Sequence, residues 1–154
     1  PGQTTTTRWG NPPSRPRLKD CSMTRWLLTF DVPGLFPPGP NDRLHWATRA
    51  MQVKEWRTRV YAAAVEAGIP KLERARVAIT FHTKRGRLMD QDNLGRAKPL
   101  YDGLVGCWIG RKNRRAFLPG ILADDDAAHM ERSEPIEIRD GTHRIDISIE
   151  AVAH

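Results

Sequence analysis

The sequence predicts an α/β fold of the α+β kind, a small mixed β-sheet flanked by two main helices in the order β-α-β-α-β-β. Three observations predict it. Segments 75–83 and 144–152 alternate apolar and polar residues, the period of strands with one buried face. Segments 46–67 and 94–105 carry apolar residues at helical spacing. Clusters of Pro and Gly punctuate the chain between them.

Arg25 to Phe30 (RWLLTF) reads as the opening strand. Pro33, Pro37, Pro38 and Pro40 then impose an extended loop ending at Asn41. From Trp46 to about Ala67 a helix is expected, with Ala50, Val53, Trp56, Val60, Ala63 and Ala64 in helical register and Gly68 and Pro70 stopping it. Trp46, Val53, Trp56 and Val60 are assigned to its core stripe, and Lys54, Arg57 and Arg59 to other faces. Between Ala75 and Thr83, Val77, Ile79 and Phe81 point one way and Arg76, Thr80 and His82 the other. Lys84-Arg85-Gly86-Arg87 makes a basic turn.

Leu94 to about Val105 reads as the second helix. Gly95 and Pro99 weaken its start, so its regular part is expected nearer Lys98, with Pro accommodated in a first turn. Gly106 to Gly120 is expected to be irregular and holds the basic patch Arg111-Lys112-Asn113-Arg114-Arg115. Ile136 to Ile138 and Arg144 to Val152 close the fold as two strands joined by a turn at Asp140-Gly141.

A chain of 154 residues suits one domain. Residues 1–22 read as a tail, with Thr4 to Thr7 of low complexity and Pro12, Pro13 and Pro16 opposing regular structure. Met23 reads as a natural start for a single domain over 23–154. The formal charge of +7 suggests an anionic partner, nucleic acid first and an acidic membrane surface second. A soluble protein that is merely basic is the competing reading. No apolar run approaches the roughly 20 residues of a membrane span, and no charged-then-apolar leader precedes the domain. Cys21 and Cys107 form no CxxC pair and no zinc pattern, as suits a reducing cytoplasm.

Against that basic background, Asp90-Gln91-Asp92-Asn93 is followed by Lys98, Asp102 and the triplet Asp124-Asp125-Asp126. Two carboxylates about 4 Å apart repel by roughly 4 kcal/mol at a surface-like dielectric. Clustering them requires a cation, a shared proton or exposure to water. In extended backbone Asp90 and Asp92 face one side and can meet one hard cation. Magnesium takes oxygen ligands and usually only one or two protein carboxylates. Asp124, Asp125 or Asp126 could add another from a distant loop. Metals in such sites bind phosphate oxygens and lower the pKa of an attacking water. Lys98 is a point charge suited to a phosphate or to charge developing on it.

Plainer readings compete. Asp-x-Asp pairs recur in exposed turns, and Asp92 can simply cap a helix. The stretch opens like an EF-hand loop, but Leu94 occupies its fifth position and Tyr101 stands where a bidentate Glu is needed. Asp102 can pair with Lys98 at i, i+4. His129 follows the triplet as a support for the site or as a surface residue. His45, His82 and His143 show no nuclease-like spacing.

Taken together, Asp90-x-Asp92-Asn93-Leu94, then Lys98-Pro99-Leu100-Tyr101-Asp102-Gly103-Leu104-Val105, then Gly120-Ile121-Leu122-Ala123-Asp124-Asp125, resembles the RusA-like family of Holliday-junction resolvases, common in phages and prophages. The resemblance spans residues 24–151, roughly, and implies a RusA-like fold. It implies a Mg2+-dependent, structure-selective endodeoxyribonuclease that resolves four-way DNA junctions by paired symmetric nicks in DNA recombination and repair. It also implies Mn2+ as a substitute metal, a homodimer placing two sites on one junction, and the cytoplasm of a bacterial host. Residue by residue, Asp90, Asp92 and Asp125 match the metal-binding aspartates, with Asp124 or Asp126 as alternatives to the last. Lys98 matches the essential lysine when counted back from Asp102, whereas counting forward from Asn93 reaches Arg96. Asp90, Asp92, Lys98 and Asp125 are therefore the expected catalytic set.

One departure is a longer segment between Asp102 and Asp124. The extra piece, at about 107–118, holds the basic patch. It is either a DNA-contacting loop or an insertion that displaces Asp125 and leaves a protein that binds junctions without cutting them. Lys84, Arg85, Arg87, Arg96, Arg111, Lys112, Arg114 and Arg115 are the expected DNA-binding cations, since Lys and Arg neutralise phosphates. Two other functions stay open: a non-catalytic branched-DNA-binding protein, and a general metal-dependent DNA nuclease.

Overall fold

The computed structural model of the chain describes residues 24–33, 36–39, 42–84 and 93–152. The expected tail at 1–22 and the positions Asn41, Arg85, Arg87, Asp90 and Asp92 lie outside these. In chain order the elements are β1 (Arg25–Asp31), α1 (Trp46–Glu66), β2 (Ala75–Thr83), α2 (Asn93–Val105), β3 (Gly106–Ile109), a 3-10 turn (Lys112–Arg114), β4 (Ala116–Pro119), β5 (Met130–Arg132), β6 (Ile136–Arg139) and β7 (Arg144–Ala151). The fold is mixed α+β.

Alternation builds the sheet. β7 lies between β1 and β2 and is antiparallel to both. The register aligns three apolar rungs: Trp26–Ile149–Val77, Leu28–Ile147–Ile79 and Phe30–Ile145–Phe81. All nine side chains are buried. Each large aliphatic or aromatic group withdrawn from water contributes about 1.5–3 kcal/mol. The other face carries Arg25 and Arg76, both paired with Glu150, and Arg76 also reaches Glu131 at 3.2 Å. β5 and β6 run parallel to β2 along its free edge, one after the other.

Both helices contribute to the same apolar core. In α1, Trp56, Val60 and Ala64 recur every fourth residue and are buried. The expected core role of Trp46 is corrected: it is 76% exposed. At about 100° per residue, Trp46 points roughly 80° away from Trp56, and Val53 roughly 60°; Val53 is accordingly only half-buried. Ala97, Leu100, Tyr101 and Leu104 give α2 its buried face. Gly103 lets the two helices close up, because a Cβ there would lie 2.7 Å from the Val60 Cβ and 2.8 Å from the Arg57 carbonyl.

Three boundaries differ from expectation. α2 begins at Asn93 rather than near Lys98. Pro99 is inside it and costs only the one bond to the Gly95 carbonyl, since its ring holds φ close to the helical value. The segment expected to be irregular is a β-hairpin, with Cys107 paired to Leu118 and Trp108 to Phe117; a run of cations concealed two short strands of good β-formers. The turn at Asp140-Gly141 joins strands that do not pair with each other. It carries the chain across the end of β2, where the Gly141 N–H donates to the Thr83 carbonyl at 3.3 Å.

Candidate active site

The site grows from the first turns of α2. Asn93 starts that helix directly after Asp92 in the sequence. Lys98 lies on its exposed side and Asp102 one turn further on, so the ammonium and carboxylate meet at 3.2 Å. Asp125 comes to the same lysine from a distant loop, with Oδ2 3.6 Å from Nζ.

That loop is positioned by its apolar root. Ile121 and Leu122 are buried. The Leu122 N–H donates to the Leu104 carbonyl at 3.2 Å, and the Leu72 N–H donates to the Ile121 carbonyl at 2.8 Å. The hairpin before it is a closed excursion, because the Gly120 N–H returns to the Val105 carbonyl at 2.7 Å. The inserted residues therefore leave and rejoin the fold at one point, and the reading in which they displace Asp125 from Lys98 is corrected.

The three consecutive aspartates have separate roles. Asp124 Oδ1 accepts the Asp125 N–H at 2.7 Å and shapes the turn. Asp126 accepts from His129 at 2.6 Å and from the His129 backbone, and the histidine hydrogen bond holds its carboxyl below the usual range. Asp125 is the one that faces Lys98. Lys98 keeps a side-chain exposure of 60%, so its ammonium is open to a larger anion. Among the described residues, no three His, Cys, Asp or Glu side chains gather as metal ligands. Asp90 and Asp92 are outside those residues.

Arg96 is a correction. It was expected on DNA, but its guanidinium is largely buried, donating to the Pro37 carbonyl at 2.8 Å and to Asp42 at 3.2 Å. Arg49 joins it, donating to the Gly39 carbonyl at 2.9 Å and the Asp42 carbonyl at 2.6 Å. The Pro-rich loop is thus clamped to both helices. Burial pulls the Asp42 carboxyl upward, but the Gly39 N–H and Arg96 outweigh it and leave the group below its ordinary value.

A polar cluster that sequence reasoning missed locks the end of β2. His82 is buried, with Nδ1 2.7 Å from Asp140 and Nε2 2.9 Å from Asp146. Thr83 donates to Glu137 at 2.6 Å. Asp140 is held far below the ordinary carboxylate range, first by the Thr142 hydroxyl and N–H, then by His82. Alternation alone had placed His82 on the solvent side; the crossing turn covers it. The only legible signal was Asp-Gly at 140–141, which marks a turn that returns toward a strand end.

The remaining expected DNA contacts divide by place. Lys84 is exposed just past β2. Arg111, Arg114 and Arg115 are exposed around the hairpin tip, and Lys112 lies in the 3-10 turn between its strands. No helix among the described residues is long and apolar enough to cross a membrane. Compared with known proteins, the chain matches no family model and no curated protein.

Proposed function

We propose that the chain is a Mg2+-dependent endodeoxyribonuclease acting on branched DNA, with four-way junctions as its preferred substrate, in the manner of the RusA-like enzymes. The observation that carries this reading is the meeting of Lys98 and Asp125 at 3.6 Å on the helix that continues directly from Asp92. It supports one site drawing on Asp90, Asp92, Lys98 and Asp125. The donor set fits the metal, since carboxylate oxygens are what a hard divalent cation takes.

Asp90, Asp92 and Asp125 would hold the cation, which when bound supplies an activated water and charge neutralisation at a phosphate. The residues themselves do the rest. Asp125 and Asp102 together hold the Lys98 ammonium in one place while leaving it exposed. Lys98 then donates to a non-bridging phosphate oxygen and stabilises the charge that builds there. The clamped Pro-rich loop and the locked end of β2 keep the surroundings of the helix start from shifting, which matters because catalytic geometry tolerates little looseness.

The test is cleavage. Wild type in Mg2+ is expected to nick a synthetic four-way junction symmetrically, and to leave flap and linear duplex largely intact. Gel shifts without cuts would favour the non-catalytic binding protein, and equal cutting of every substrate would favour a general nuclease.

A further inference from the structure

The hairpin and α1 enclose a groove of about 840 Å³ whose lining includes Lys54, Arg57, Arg111 and Arg115, together with Trp108 and Cys107. No carboxylate lines it. Residues 106–119 contain four cations and no acid at all. The cations are held close by the turn: Gly110 has φ +91°, and a side chain there would collide with the Arg114 backbone. The Arg57 guanidinium donates to the Gly106 carbonyl at 3.1 Å, while its Nε has no hydrogen-bond partner. Cys107 is buried at the hairpin's root, and burial pushes its thiol up.

The aromatic side chains are placed unusually for a folded domain. Trp108 and Phe117 face each other across the hairpin with ring centroids 5.1 Å apart, yet they are 41% and 40% exposed. Arg115 sits over the Trp108 ring at 4.7 Å. Exposed rings interleaved with uncompensated cations are what an unpaired nucleic-acid strand requires: phosphates meet the cations, and bases stack on the rings. Duplex DNA would use the cations but offers no free base face. An acidic peptide would use the cations and leave the rings idle.

We propose that the groove between α1 and the β3–β4 hairpin binds an unpaired segment of DNA, with a base stacked on Trp108 and the backbone held by Lys54, Arg57, Arg111 and Arg115. It rests on the reading of the ligand as DNA and deepens it, because strand exchange points expose such bases. It does not depend on the chemistry at Asp125.

Binding of a short oligothymidylate to the full chain, followed by fluorescence anisotropy, tests it against polyglutamate and phosphatidylserine vesicles. Oligothymidylate is expected to bind well above polyglutamate. Trp108→Ala should weaken it about tenfold, within the range measured for one stacked base, and Trp108→Phe should retain most of it. Arg111→Glu/Arg115→Glu should abolish it. These three side chains are exposed, and unchanged thermal melting keeps each variant interpretable. Undiminished binding by Trp108→Ala, or equal binding of polyglutamate or vesicles, would overturn the proposal. If Asp125→Asn still cuts junctions while Trp108→Ala loses oligothymidylate, the nuclease reading falls and the groove stands.

Discussion

The start of α2 and the hairpin groove use the same charged residue types in opposite ways. At Lys98 a single cation is shared between Asp102 and Asp125, so the corner is close to neutral and its geometry is tightly held. In the groove, cations stand together with no carboxylate in reach. Mutual repulsion there is relieved only by solvent or by a bound anion. Paired charge sets orientation; unpaired charge sets affinity. A protein that must both hold a polyanion and act on one bond of it needs both, and keeping them apart prevents the groove cations from collapsing onto the carboxylates.

The sharpest way to break that division is Asp125→Asn. Junction cleavage should fall by about a hundredfold or more, on the scale of removing one preorganised electrostatic partner, while gel-shift affinity stays within a few-fold of wild type. Equal losses of cutting and binding would mean that the two regions are not separate. Asp92→Asn should behave in the same way.

Next in size, Arg111→Glu/Arg115→Glu should cost junction affinity and lower the slope of log K against log salt by about 2, near 0.9 for each lost phosphate contact. A salt titration of binding reads this directly. An unaltered slope would remove the groove from the DNA interface.

Gly103→Ala tests whether the two regions share a scaffold. Its new methyl meets Val60 and the Arg57 carbonyl, so α1 and α2 must part. We expect a loss of about 1–3 kcal/mol by denaturant titration, typical of overpacking. Cleavage and groove binding should decline together, since α1 lines the groove and α2 carries Lys98.

The smallest effect is on acid stability. Asp140 and Asp42 are held below their ordinary values in the folded state. A depressed carboxyl stabilises the fold above its unfolded value, about 3.9, and that stability is lost as pH falls through the folded value. Asp140→Asn should therefore lose less Tm than wild type between pH 6 and pH 3. A Tm drop identical to wild type would show that Asp140 contributes nothing to the pH dependence.

Legibility followed range. Period-2 alternation identified β2 and β7, and helical spacing placed α1 and α2 within a few residues, because those signals are local. Trp46 was misread because apolar identity was weighed without its angle around the helix. The hairpin was missed because four cations lie between strands of four residues. Arg96 read as a DNA contact because nothing in its local sequence shows that Asp42 and Pro37 fold against it.

The sequence by itself determined the residue types of the site, the spacing of Lys98 and Asp102 along one helix, and the basic excess of the inserted segment. Only the tertiary structure decided which of three adjacent aspartates faces Lys98, which arginine is spent on a loop, and that the inserted cations line a groove with Trp108. The physical reason is the same each time. Spacing within an element is set by backbone geometry and is written in sequence. A contact between distant segments depends on which apolar roots pack, here Ile121 and Leu122, and those bury the information along with the side chains.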